Sequence, residues 1–217
     1  MNGIQQELKH GKQSSNFLLN NLIDFIDLTV MNVTSRKTEK NENSGICKTQ
    51  NNSSSENEKT IEVFKDIIVD MDGTIADIKA RVIRAEANPP QGKRMDWNVF
   101  LDPIVMAHSD QPNEHVVHLV RMLQETGHRI IVTSARNERH REITTLQLET
   151  WGIKYERLYL RKDDDFRQDG IVKAELYEQI LSDGYMPRIA IDDRNQVVEV
   201  WREKLGIHCW QVEETKV

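Results

Sequence analysis

Cysteine is scarce in this chain of 217 residues: Cys47 and Cys209 are the only two. That excludes a disulfide framework and a cysteine zinc cluster. Long apolar runs are missing too, the longest falling far short of the ~18–20 residues a membrane span needs. The stretch nearest to an export signal, residues 17–33, is broken by Asn20, Asn21, Asp24 and Asp27, which no apolar h-region carries. The reading is a soluble protein of a reducing cytoplasm. Basic residues are not in excess, since 29 Lys and Arg face 35 Asp and Glu for a net charge of −6. A wholly basic nucleic-acid coat is thereby excluded, although a local basic groove is not. Hydrophobic residues make up 38% of the chain, below the roughly 45–50% of an average globular sequence.

The shortage of apolar residues is uneven. Residues 1–60 hold 7 Lys/Arg and 7 Asp/Glu, so the whole −6 falls in 61–217. From Ser35 to Thr60 the only apolar side chains are Ile46 and Cys47, and there is no aromatic. Such a stretch cannot bury enough surface to offset its chain entropy. The reading is a polar extension over 1–60, with one short helix around Phe17–Leu28 and then a disordered linker over 35–60. Residues 14–33 are the one place in it where a protein partner would dock.

Residues 61–217 form a domain with a clear rhythm. Lys65–Asp70 reads as a strand. Pro112–Glu125 reads as a helix, with Val116, Leu119, Val120 and Leu123 at helical spacing and Gly127 after it. Strands are expected at Arg129–Thr133, Arg157–Leu160, Arg188–Ile191 and Ile207–Val212. Helices are expected at Asn137–Trp151, Gly170–Leu181 and Gln196–Leu205. This alternation predicts an α/β fold, a mostly parallel sheet with helices on both faces.

In an open sheet of this kind ligands sit at the carboxyl ends of the strands. Asp70-Met71-Asp72-Gly73-Thr74 follows the first strand, and Thr133-Ser134-Ala135-Arg136 follows the second. Arg167, Asp169 and Lys173 lie between the third and fourth, and Asp192-Asp193-Arg194 follows the fourth. Carboxylates gathered at one spot repel one another unless a cation neutralises them, and oxygen-only ligands suit Mg²⁺. Mg²⁺ beside Lys and Arg is a way to hold a phosphoryl group. Asp70 at a strand tip can present a carboxylate to phosphorus, while Asp72, past the turn, can reach the leaving oxygen as general acid and then activate water. Taken singly these residues have plainer readings: a turn for Asp192-Asp193, a helix cap for Ser134, an ion pair with Glu138 for Arg136. Their joint order at successive strand ends is what those readings do not explain. Lys162-Asp163-Asp164-Asp165 reads as a solvated acidic loop. Trp97, Trp151, Trp201 and Trp210 read as core or cap packing rather than as platforms for bases.

The segments DMDGT, VTSAR, a lysine and IDDR, in this order, resemble the four motifs of the HAD (haloacid dehalogenase-like) phosphohydrolases. The resemblance implies a three-layer Rossmann-like core with a small or absent cap over Ile75–Gly127. It implies Asp70 as nucleophile and Asp72 as acid/base, with Ser134 and Lys173 holding the phosphoryl group and Thr74 at the substrate. It implies Mg²⁺ held by Asp70, the backbone carbonyl of Asp72 and the Asp192/Asp193 pair, with Asp193 favoured as the direct ligand. RQDGIVKAELYEQI and RIAIDDRNQVVEVWREKLGIHCWQV are similar, more particularly, to the 3′-phosphatase domain of bacteriophage polynucleotide kinase/phosphatase. From that family come Arg136 and Arg167 as phosphate holders, with Asp169 orienting one of them.

The sequence departs from that pattern in two ways. Ala135 replaces the usual glycine. Gly11-Lys12-Gln13-Ser14 lacks the first glycine of a P-loop, Gln6 standing in its place, so no 5′-kinase activity is expected. The expected activity is removal of a 3′-phosphate from a nucleic-acid end. A phosphatase of free (deoxy)nucleotides, and a non-catalytic adaptor that recruits a kinase or ligase through the N-terminal helix, are the alternatives.

Overall fold

The computed structural model describes residues 64–214. The short helix near Phe17–Leu28, the linker over 35–60 and the partner segment 14–33 lie outside the described residues. Five parallel strands form the main sheet: β1 (Asp66–Asp70), β4 (Arg129–Asn137), β5 (Arg157–Arg161), β6 (Ile189–Asp192) and β7 (His208–Gln211), in the order β5-β4-β1-β6-β7. Between β1 and β4, β2 (Ala76–Asp77) pairs antiparallel with β3 (Gln111–Pro112). The helices are α1 (Lys79–Glu86), α2 (Trp97–Phe100), α3 (Pro103–Ser109), α4 (Glu114–Glu125), α5 (Arg141–Thr150), α6 (Asp169–Ser182) and α7 (Asn195–Glu199).

The strands are apolar at successive positions because both faces of the sheet are covered. Side chains alternate between the faces along a strand. Ile67 and Val69 of β1, with Ile130 and Val132 of β4, pack on one side with Val116, Val120 and Leu123 of α4. Ile68 and Ile131 pack on the other with Val172, Leu176 and Ile180 of α6 and with Trp201. The result is the expected three-layer α/β sandwich. No helix among the described residues is long and apolar enough to cross a membrane.

Three details differ from the sequence reading. β4 runs on to Asn137, four residues past Thr133, with a register shift against β5 between Ser134 and Asn137. Tertiary bonds keep this stretch extended: Arg161 Nε donates to the Ala135 carbonyl at 2.9 Å and Asn137 Nδ2 to that of Lys162 at 3.1 Å. The helix expected from Asn137 therefore begins as a 3₁₀ turn at Glu138–His140 before α5. The last helix passes after Glu199 into a π-helical turn, Val200–Lys204. Finally, the region after Ile75 is not merely short but folded, with α1, α2 and α3 forming a small helical cap. Its caps were there to be read: the Asp102 carboxylate accepts from the Ile104 amide at 2.7 Å, with Pro103 opening the helix.

Candidate active site

β1 ends on Asp70, and the chain turns at once. Gly73 sits at φ +89°, and a Cβ there would run into the Asp193 carboxylate. Glycine thus permits both the left-handed backbone and the approach of the β6 loop. The turn is held by the Gly73 amide donating to the Ala76 carbonyl at 2.9 Å and by Ala76 N donating to Met71 O at 2.8 Å.

Four of the expected residues meet at this edge. Lys173, on the second turn of α6, is buried and its Nζ lies 2.5 Å from Asp70 Oδ1. The same ammonium donates to Thr133 Oγ1 at 3.0 Å, to the Thr133 carbonyl at 3.2 Å and to Asp192 Oδ2 at 3.4 Å. Trp201 Nε1 donates to Asp192 Oδ2 at 3.1 Å and so fixes that carboxylate. Asp70, Asp192 and Asp193 each offer a carboxylate oxygen within 4.8 Å of the others, and all three are buried. Burial pushes the Asp70 carboxyl well up from its ordinary range against the pull of Lys173, and the charges of Asp192 and Asp193 push it further. Burial works against the Lys173 ammonium too, but Asp70 and Asp192 outweigh it and hold the proton on. Three buried carboxylates against one ammonium leave net negative charge. An all-oxygen donor set of that kind fits a hard divalent cation such as Mg²⁺.

The Asp72 side chain stands apart from this cluster. It is 20% exposed and faces two guanidinium groups. Arg136 donates to it through Nε at 3.0 Å and Nη2 at 2.6 Å, and Arg81 donates through Nη2. Burial alone would raise the Asp72 carboxyl, but Arg136 and Arg81 together hold it well below the usual range. Asp110 closes the network, pairing with Arg81 Nε and with Arg136 Nη2, each at 2.9 Å. Burial, with the neighbouring Asp72 charge, pushes Asp110 up to about 6 against those two arginines.

The other expected residues are placed as follows. Arg136 is buried, and beyond Asp72 and Asp110 it donates to Thr144 Oγ1 at 3.1 Å and Gln147 Oε1 at 2.6 Å. Its guanidinium is engaged inside the protein, and Glu138, offered as an alternative partner, pairs instead with Arg141 at 2.7 Å. Ser134 is buried, its Oγ accepting from the Arg136 amide at 3.2 Å. Thr74 is buried, and its hydroxyl has no hydrogen-bond partner among the described residues. Arg167 lies on a loop, paired with Asp165 at 2.6 Å and Glu175 at 2.5 Å. Asp169 orients neither Arg136 nor Arg167, because Arg161 and Arg194 stand against it and take both of its oxygens. The Lys162–Asp165 loop is likewise ion-paired, Asp163 and Asp164 meeting Arg139.

The sequence reading missed Arg81, Asp110 and Thr133. Thr133 could have been found, since it ends the predicted strand. Arg81 sits in an ordinary helical pattern and Asp110 in a connection, so neither carries a local signal.

A cavity of about 510 Å³ opens onto Asp70, Asp72, Lys173 and the Asp192/Asp193 pair. A buried carboxylate held by an ammonium, an oxygen cluster that fits a divalent cation and a second carboxylate bound by two guanidinium groups are the kinds of group that phosphoryl-group chemistry uses.

Comparison with known proteins agrees. The family model described as the polynucleotide kinase PNKP phosphatase domain matches residues 64–216. A solved Pnkp1/Rnl/Hen1 complex contains a chain 29% identical, with TM-score 0.56 over 71% of this chain and 48% of the other. A second, described as the Pnkp1/Rnl/Hen1 RNA repair complex, is 27% identical with TM-score 0.56, covering 71% of this chain and 44% of the other. This chain therefore spans about half the length of those relatives. A haloacid dehalogenase-like hydrolase, SP0104 from Streptococcus pneumoniae, shares the fold at 12% identity and TM-score 0.52, over 70% of this chain and 88% of that one.

Proposed function

We propose, for a chain that belongs to the family of polynucleotide kinase PNKP phosphatase domains and is thus an HAD-type phosphatase, that it removes 3′-phosphates from nucleic-acid ends. One observation carries the reading: Asp70, Lys173, Asp192 and Asp193 gather on the open cavity of a domain with that family match.

In the first step an Asp70 carboxylate oxygen attacks phosphorus. The bond from phosphorus to the 3′-oxygen breaks, and the leaving oxygen takes a proton from Asp72. Lys173 holds Asp70 and balances charge on the transferring group. In the second step Asp72 takes a proton from water, whose oxygen attacks the aspartyl-phosphate and frees Asp70 and inorganic phosphate. The pairing with Arg81 and Arg136 favours the ionised Asp72 needed in the second step. Its exposed edge is where the proton needed in the first is taken up. Mg²⁺, held by Asp70, Asp192 or Asp193 and the Asp72 carbonyl, supplies charge neutralisation at phosphorus when bound. Thr74 and Ser134 offer hydroxyls to the phosphoryl oxygens, and Arg167 stands at the cavity rim.

The solved relatives belong to a Pnkp1/Rnl/Hen1 complex, once described as an RNA repair complex. End repair in a reducing cytoplasm is the proposed setting here, with residues 14–33 as the segment assigned to a protein partner. Phosphate release from a 3′-phosphorylated oligonucleotide with Mg²⁺, beside free 3′- and 5′-mononucleotides and with Asp70→Asn as control, tests the reading. Preference for the oligonucleotide with a dead Asp70→Asn is expected. Preference for mononucleotides would move the substrate to nucleotide metabolism, and equal release by Asp70→Asn would refute the mechanism.

A further inference from the structure

Two aromatic side chains stand largely in solvent at the mouth of the same cavity. Trp97 is 54% exposed and Phe166 88% exposed, and both line it together with Asp70 and Lys173. A single exposed apolar residue needs no explanation. Here both are set on ordered supports. Trp97 opens α2, whose cap Asp96 accepts from the Asn98 amide at 2.9 Å, and its ring meets Phe100 edge-to-face at 5.4 Å. Phe166 lies between two carbonyls pinned by one guanidinium, Arg161 Nη1 donating to Asp165 O at 3.1 Å and Arg167 O at 2.7 Å.

Position tells which aromatic serves which part of a substrate. The Arg81 guanidinium lies 4.5 Å from the centre of the Phe100 ring and donates to Asp72. A continuous run, Trp97–Phe100–Arg81–Asp72, thus ends on the carboxylate that serves the leaving oxygen. Trp97 is therefore on the leaving-group side, where the sugar and base of the terminal nucleotide must lie. Phe166, more exposed than Trp97, stands on the loop that leads into α6, the helix that carries Lys173.

Charge points the same way. The cavity lining holds six carboxylates and six Lys or Arg side chains. Arg139 and Arg167 at the rim are themselves paired with Asp163 and Asp165. A balanced lining is no electrostatic funnel for a polyanion. Base stacking on aromatic faces is sequence-tolerant, because every base has a π-face, and it adds affinity that the balanced charge does not supply.

Resting on the 3′-phosphatase reading above, we propose that Trp97 is the stacking platform for the 3′-terminal nucleobase and Phe166 for a base further along the strand, so that the substrate is a single-stranded or frayed 3′ end. The test compares kcat and KM of the full chain, Trp97→Ala, Trp97→Phe, Trp97→Leu and Phe166→Ala. The substrates are a short 3′-phosphorylated oligothymidylate, the same oligonucleotide with an abasic terminal nucleotide, 3′-thymidine monophosphate and β-glycerophosphate. Trp97→Ala and Trp97→Leu should raise KM about 10-fold on both base-bearing ends, leave β-glycerophosphate and the abasic end unchanged, and be rescued by Trp97→Phe. Phe166→Ala should raise KM on the oligonucleotide and not on the mononucleotide. If the wild type favours the oligonucleotide but Trp97→Leu loses equally on base-bearing and abasic ends, this inference falls and the phosphatase reading stands. If the wild type does not favour the oligonucleotide at all, both fall.

Discussion

Lys173 and Asp70 are 103 positions apart in the chain, yet the ammonium lies 2.5 Å from the carboxylate oxygen in a site where both are buried. Removing Lys173 takes from Asp70 and Asp192 the ammonium that pairs with both. Lys173→Met should lower kcat by about 10²–10³-fold, as loss of one preorganised charge at a reacting centre does. The loss should be read at saturating substrate, and a rise in KM with kcat intact would assign Lys173 to substrate binding alone.

The Asp72 pairing sets a pH dependence with a definite sign. Arg136 and Arg81 overcome burial and depress the Asp72 carboxyl. In Arg81→Ala its titration moves upward. Both the limb where Asp72 must be protonated and the limb where it must be ionised should shift to higher pH, with kcat/KM reduced about 10-fold or more. A profile that only drops, with unmoved limbs, would make Arg81 a structural residue. The same pairing links to stability: a depressed acid stabilises the fold above its unfolded value of 3.8, and that contribution is lost as pH falls below it.

Metal binding is testable without turnover. Mg²⁺ at about 100 times its Kd should stabilise the fold by ~2.7 kcal/mol, visible as a rise in Tm. EDTA should remove both the rise and the activity. Asp193→Asn should abolish the Mg²⁺-dependent rise in Tm and leave the metal-free Tm unchanged or higher, because it removes a charge from a like-charged cluster. An undiminished rise would place the metal elsewhere.

Gly73→Ala should be costly for its size. The position has φ +89° and its added methyl meets the Asp193 carboxylate. The left-handed conformation alone costs roughly 1–2 kcal/mol. Activity should fall further than Tm, since Asp193 must move. Gly127→Ala, also at positive φ but with nothing within 4 Å of its Cβ, is the control, and equal activity in the two variants would sever the turn from the site.

The alternation of strands and helices, the sheet's two covered faces and the placement of DMDGT, Lys173 and IDDR at one edge follow from the sequence by itself, whereas the order of the strands in the sheet comes from the tertiary structure. The first three rest on short-range regularities: apolar period, glycine stops and the rule that sites form after parallel strands. Helices α2 and α3 carry local signals in the caps Asp96 and Asp102, whereas α1 follows Ile78, which makes no side-chain cap. Ion-pair choice was decided by the tertiary structure alone. Arg136 had a neighbour two residues away in Glu138, yet it binds Asp72 from 64 positions off, while Asp169 takes Arg161 and Arg194. Trp97 likewise came to the cavity mouth, while Trp201 went to the core. A guanidinium takes whichever carboxylate folding brings within about 3 Å of it in a dry place, where that pairing is strongest, and no local pattern of residues encodes that distance.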